Sequence, residues 1–254
     1  MDYPRIDAYA SLNSPIHSFD PRAKIITFSV LIFSFAFLEN INAATIAVAF
    51  SLLLLIVSRL PLGFVFSRIK VPLGFIVSIL VIMAFTVGGK ELFSIFGLRV
   101  SYEGVHLGTL IVLRATAALF LALLMLGTSR FEAILKALYM LRVPGILVQM
   151  LMFTYRYIFV FIDEFGNMKN AMESKGFQIK GNSRHALSIL GNAVGMLLVK
   201  SYERGDRVYS SMVARGYTGN PIILTKFEMK GSDYVLSGVL LSAAVFFHIF
   251  PVIL

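Results

Sequence analysis

The sequence predicts an all-α, polytopic membrane protein, with about five transmembrane helices and a cytoplasmic or interfacial region of long helices. Hydrophobic residues make up 57% of the 254 positions and charged residues only 15%, well below the ~25% charged fraction of soluble domains. Several apolar runs approach the ~20 residues that a helix needs to cross a hydrocarbon core of ~30 Å. Lys and Arg are also unevenly placed. Three precede the first apolar run (Arg5, Arg22, Lys24), three lie between the second and third (Arg59, Arg68, Lys70), and fourteen fall between Arg130 and Lys230. Only Lys90 and Arg99 occupy the 88–104 loop. This positive-inside pattern predicts a cytoplasmic N-terminus and a cytoplasmic basic region, and it accounts for the net charge of +9 without a nucleic-acid partner.

Taken in order, the first 24 residues hold Asp2, Asp7, Pro4 and Pro15 and lack an apolar core, so they do not read as a secretory signal. Asp20-Pro21 reads as an N-cap followed by the first helical position. The first span then runs through Ile25–Leu38, with Lys24 and Glu39 at its wet ends. Glu39-Asn40 forms an external turn before a second span at Ile41–Val57. Arg59, Pro61, Gly63, Arg68 and Lys70 read as a basic cytoplasmic connector to a third span, Val71–Val87, which ends outside at Gly88-Gly89.

Residues 90–103 read as a small external hairpin or interfacial loop, and Val105–Leu126 as the fourth span. Arg114 falls near its middle, where an unpartnered charge costs ~2.5–3.5 kcal/mol on insertion scales. A carboxylate such as Asp163 is its expected partner, or snorkelling its expected relief. Ser129-Arg130-Phe131-Glu132 has capping-box spacing, and Phe131, Ile134, Leu135, Leu138 and Leu141 follow at helical intervals. This predicts a short amphipathic surface helix, broken at Pro144-Gly145.

Two long helices come next, Ile146–Lys175 and Arg184–Arg215, joined at Gly181-Asn182-Ser183. The first becomes charged from Asp163 onward. The second carries an apolar stripe through Leu190, Val194, Leu197 and Val208, and Gly191-x-x-x-Gly195 marks a face open to close helix approach. Tyr234–Leu254 is the fifth span. The chain therefore divides into four N-terminal spans (1–127), a cytoplasmic region of long helices (128–232) and a C-terminal span (233–254).

The two long helices end in matched sequences. Ala171-Met172-Glu173-Ser174-Lys175-Gly176-Phe177 and Ser211-Met212-Val213-Ala214-Arg215-Gly216-Tyr217 share a methionine, a small residue, a cation, a glycine and an aromatic ring in the same order. Either copy alone reads as an ordinary helix C-terminus, with Gly at the left-handed position and a cation near the last carbonyls. Their recurrence suggests that both ends serve the same kind of partner, which would place Gly176 and Gly216 on one side of the membrane. The long helices are then expected in or beneath the inner leaflet.

On these motifs the chain resembles the T components of energy-coupling-factor (ECF) transporters, especially the CbiQ/NikQ type from cobalt and nickel uptake. Asp20-Pro21-Arg22, the run Glu203 to Tyr209 and the order of apolar segments share in the resemblance, which covers nearly the whole chain. In that family two Ala-Arg-Gly-like motifs dock into the ATPase subunits. The resemblance implies docking through Ala214, Arg215 and Gly216, and through Ser174, Lys175 and Gly176, where the first copy departs from Ala-Arg. It implies as partners two ATP-binding-cassette ATPase subunits and a membrane substrate-binding (S) component, with the lipid bilayer around them.

The chemistry missing from the sequence is consistent with a non-catalytic subunit. No P-loop is present: Gly89-Lys90 is followed by Glu91, and Ala84 stands where the first glycine belongs. The four histidines (His17, His106, His185, His248) show no metal-ligand spacing, and cysteine is absent. No bound cofactor is expected. The competing class is a self-contained secondary transporter or channel whose basic region meets anionic lipid. Such a protein calls for polar groups at mid-membrane and for inverted repeats, and this sequence offers little beyond Arg114.

Overall fold

The computed structural model describes residues 7, 9–10, 12, 14–95, 98–177, 184–219 and 227–253. Eight helices and one hairpin lie among them. They fall into two compact units, one formed by the described residues within 5–137 and 226–254, the other by those within 138–225.

The first unit is a bundle of α1 (Pro21–Ala36), α2 (Ile41–Val57), α3 (Leu62–Thr86), α4 (Tyr102–Gly127) and α8 (Gly231–Ile253). Helix α4 packs on α1, α2 and α3, while α8 closes against α1 and α2. Phe28, Leu31, Phe35, Ala117, Leu121, Leu124 and Leu240 form its buried centre. Phe247 meets Phe35 edge-on at 5.1 Å, and the Ser34 hydroxyl donates to the Ala244 carbonyl at 3.1 Å. Because phenylalanine rings prefer edge-to-face contacts, these pairs hold the C-terminal helix to the first.

Helix starts follow the expected chemistry. Asp20 Oδ1 accepts from the Arg22 amide at 2.8 Å, and Pro21 occupies the first turn, where a missing N–H costs nothing. Arg22 pairs with Asp20 at 3.0 Å and donates to the Phe227 carbonyl at 2.9 Å, joining the start of α1 to the segment before α8. Burial pushes the Asp20 pKa up, but the Arg22 hydrogen bonds and charge outweigh it and hold the group below its ordinary value. Asn40 caps α2 through the Asn42 amide at 3.0 Å, and Ser101 caps α4 through the Gly104 amide at 3.1 Å.

Between α3 and α4, β1 (Glu91–Ile95) and β2 (Leu98–Ser101) pair antiparallel with an irregularity at Glu91/Phe93. This is the hairpin form of the 90–103 expectation.

By length and composition α3, α4, α8 and the 30-residue α6 (Gly145–Ser174) are apolar enough to cross a membrane, and α2 is a shorter apolar helix. The protein is an all-α, multi-pass membrane protein. At ~1.5 Å per residue the 16-residue α1 reaches only about 24 Å.

Three local expectations are corrected. The basic connector is shorter than expected: only Ser58–Pro61 separates α2 from α3, and α3 continues through Pro72. Val65 and Ile69, four residues apart and buried, hold the first turns of α3 against the bundle. That burial outweighs the helix-breaking signal of Gly63 at the start of α3.

The second correction concerns the start of α5 (Phe131–Met140), where the described hydrogen bonds differ from the capping-box expectation. The Phe131 amide donates instead to Asp7 Oδ1 at 3.0 Å, while the Ser129 hydroxyl accepts from Lys24 Nζ at 2.9 Å. Ile134 and Leu135 are buried, in keeping with the amphipathic reading.

Third, the close glycine approach is made elsewhere than at Gly191-x-x-x-Gly195. A methyl group at Gly104 would sit 2.4 Å from the Met83 carbonyl oxygen and one at Gly108 3.2 Å from the Leu80 Cα, whereas Gly191 and Gly195 face open space. The Gly104-x-x-x-Gly108 face is what brings α4 onto α3.

Gly104→Ala is therefore expected to destabilise the protein by about 1–3 kcal/mol through overpacking. Gly191→Ala should be neutral or stabilising by up to about 1 kcal/mol through helix propensity. Thermal unfolding of both variants in one detergent checks the pair, and equal effects would place the α3–α4 contact wrongly.

Candidate functional site

The second unit contains α6 and α7 (Arg184–Ala214). The helices run antiparallel. Lys200 of α7 forms an ion pair with Glu164 of α6, Arg204 lies over the Phe161 ring at 6.0 Å, and the Tyr217 hydroxyl, beyond the end of α7, donates to Gln149 near the start of α6. Between them lies a groove of about 840 Å³, lined by Met150, Phe153, Tyr157, Val208, Tyr209 and Met212 among others.

Both sequence repeats fold into the same helix end. At the first, the Gly176 amide donates to the Glu173 carbonyl at 2.9 Å and the Phe177 amide to Met172 at 3.1 Å. At the second, Gly216 donates to Val213 at 2.9 Å and Tyr217 to Met212 at 3.0 Å. These paired five-to-two and six-to-one bonds define a Schellman motif. Both glycines have φ of +85°, in the left-handed region that a Cβ disfavours. The hydroxyls of Ser174 and Ser211 each bond back four residues, to Asn170 and Arg207.

Glycine is not needed merely to form such a cap. Helix α5 ends in the same bond pattern, Arg142 to Tyr139 and Val143 to Leu138, with Arg142 at φ 66°. What the two motif glycines add is a bare backbone: nothing lies within 4 Å of a Cβ placed on either. Ser174, Lys175, Gly176, Ala214, Arg215 and Gly216 are all exposed. Among the described residues neither Lys175 nor Arg215 forms an ion pair. Each helix end thus offers an unpaired cation beside a backbone that a partner can approach closely.

The antiparallel arrangement separates the two ends. Gly216 follows the α7 terminus that reaches Gln149, while Gly176 follows the far end of α6. With a rise of ~1.5 Å per residue, about 40 Å of helix lies between them. The loop at Gly181-Asn182-Ser183 falls outside the described residues. Local sequence exposed the two caps, but not the Tyr217–Gln149 bond, which joins positions far apart in the chain and leaves no short-range signal.

A family model described as CbiQ, cobalt transport protein, matches residues 12–223. The chain belongs to the CbiQ family. An uncharacterized protein of Methanocaldococcus jannaschii is 30% identical over 93% of this chain and 89% of its own length. The energy-coupling factor transporter transmembrane protein EcfT of Streptococcus equi subsp. equi is 28% identical over 86% of this chain and 85% of its own. EcfT of Streptococcus thermophilus is 28% identical over 87% of each. The CbiQ-family chain is thus a transmembrane (T) component of an ECF transporter. Elsewhere in it, Arg114 Nε is buried without a hydrogen-bond partner among the described residues, and no three His, Asp or Glu side chains among them converge on a metal-sized site.

The cap geometry generates a local test. Gly216→Ala is expected to weaken the α7 terminus by about 1–2 kcal/mol, the cost of a left-handed L-residue, and Gly216→Asn by less. Hydrogen exchange of the 212–219 peptide reads this directly: faster exchange in Gly216→Ala than in Gly216→Asn is the expected order, and unchanged protection in Gly216→Ala would contradict the cap.

Proposed function

We propose that this T component couples two ATP-binding-cassette ATPase subunits to a separate substrate-binding membrane subunit, and that it serves an importer for cobalt or nickel. The observation that carries the reading is the pair of matched, exposed caps with unpaired cations at opposite ends of α6 and α7. Two like sites about 40 Å apart suit two copies of like subunits. Lys175 and Arg215 are placed to meet acidic side chains in the ATPase grooves through charge-assisted hydrogen bonds. Movement of the ATPase pair then shifts the two helices and reorients the substrate-binding subunit. In this arrangement the chain hydrolyses no ATP itself.

Support for a second membrane partner comes from α7, where Leu187, Val194, Met196, Leu198 and Val199 are exposed. The cobalt assignment rests on the description of the matching family model, and nickel on the CbiQ/NikQ resemblance. On this reading the transporter sits in the cytoplasmic membrane, with the N-terminus and both caps in the cytoplasm. Helices α6 and α7 lie in or under the inner leaflet.

The two cations are not equivalent. A guanidinium binds a carboxylate through two parallel hydrogen bonds, while an ammonium is a flexible point charge. Arg215→Ala is expected to abolish most ATPase association and coupled uptake, because an acidic partner left buried and unpaired costs roughly 3–5 kcal/mol. Lys175→Ala should be milder and Lys175→Arg tolerated. Complex recovery and uptake at matched expression decide it, and full coupling in Arg215→Ala would remove the docking role.

Topology has its own test, since the chain has no cysteine. Ser174→Cys and Ala214→Cys are both expected to resist an impermeant thiol reagent added outside intact cells and to react after lysis. Labelling of either from outside would place the two ends across the membrane and defeat the arrangement.

A further inference from the structure

Lys24, in the first turn of α1, is 2% exposed. Its ammonium donates to the Thr128 carbonyl and hydroxyl, both at 3.2 Å, and to the Ser129 hydroxyl at 2.9 Å. Among the described residues no carboxylate accompanies these bonds. Thr128 is the C-cap of α4, so the ammonium sits at the negative end of that helix dipole, worth about half an elementary charge. A substantial positive charge is left uncompensated.

Beside it lies a cavity of about 620 Å³, whose polar lining includes Ser14, His17, Lys24, Thr128, Ser129 and Arg130. Among the described residues no Asp or Glu lines it. Of the described acids on the flanking segments, Asp20 is engaged with Arg22 at 3.0 Å and Asp7 with the Phe131 amide at 3.0 Å. His17 bridges Ser14 Oγ at 2.7 Å and the Tyr9 carbonyl at 3.0 Å. Since that carbonyl only accepts, Nε2 carries a proton, and in the neutral ring Nδ1 accepts the Ser14 hydroxyl. Burial, partly offset by the Tyr9 bond and reinforced by Lys24, lowers the His17 pKa and favours the neutral ring.

We propose that this cavity binds a phosphate-bearing anion. The exposed Arg130 guanidinium supplies the direct charge-assisted contact, Lys24 the buried charge behind it, and the Ser129 hydroxyl, which accepts from Lys24, a further donor. Phosphate fits this lining better than a carboxylate because it sets more negative charge and more acceptor oxygens against the Lys24 and Arg130 cations. The cavity stands at the bundle end where α1 begins and α4 finishes, so the phosphate can come from a phospholipid headgroup or from solution. This site is independent of the two helix caps.

The test uses the full chain in phosphatidylcholine nanodiscs. Thermal stability is titrated separately with inorganic phosphate and with short-chain phosphatidylglycerol, for wild type, Arg130→Ala and Lys70→Ala, the last removing an exposed cation elsewhere in the bundle. At least one ligand should stabilise wild type saturably. Arg130→Ala should weaken its apparent affinity roughly tenfold or more, the scale of one hydrogen bond to a charged group, and Lys70→Ala should leave it unchanged. Saturation by phosphate identifies a soluble anion as sufficient, whereas saturation by phosphatidylglycerol alone identifies the headgroup as the source. Absence of saturation with both ligands, or equal weakening by the two variants, overturns the site.

Discussion

In a hydrocarbon medium every backbone N–H and C=O must find its partner within the protein, and the structure follows from that constraint at helix interiors and helix ends alike. Inside the helices the condition is met locally. At the ends it requires specific side chains or backbone turns. Asp20, Asn40 and Ser101 serve the amides at three helix starts. Lys24 reaches from the first helix to the end of the fourth, and Asp7 reaches from the N-terminal segment to the start of α5. The same requirement closes α6 and α7 with glycine turns.

Termini that must be satisfied can also be put to use. A Schellman turn consumes the last carbonyls of a helix and leaves the side chain before the glycine free to point outward. The Lys175 and Arg215 ends exploit that freedom, since their backbone needs are met internally and their charges are not. The bundle shows the reverse economy. At Gly104 and Gly108 the missing side chain lets two helices of the same chain touch, while at Gly176 and Gly216 it leaves backbone uncovered. Composition therefore assigns glycine no single role; the neighbouring atoms do.

Much of the candidate site was legible in sequence because its information is local. A helix end is encoded within seven residues, and the recurrence of Met, a small residue, a cation, Gly and an aromatic ring made both copies visible. The helical bundle was legible for a similar reason, as apolar runs of near-spanning length leave the chain few alternatives. The errors fell where a short-range signal competed with burial. Pro61, Gly63 and three cations read as a connector, yet Val65 and Ile69 kept α3 helical from Leu62 onward. Ser129 has the spacing of a capping residue, yet a buried ammonium from 105 positions away claimed its hydroxyl.

The sequence by itself determined the class of protein, the helical segments and the two matched termini, because hydropathy, helix period and turn chemistry act over a few residues. Only the tertiary structure decided which glycines mediate helix contact, which side chain serves the start of α5, and that α6 and α7 pair antiparallel with their caps at opposite ends. It also decided that Lys24, Arg130, His17 and their hydroxyl neighbours share one cavity. Those outcomes depend on residues between 21 and 124 positions apart meeting in space, and such meetings are settled by packing, for which no local pattern is a substitute.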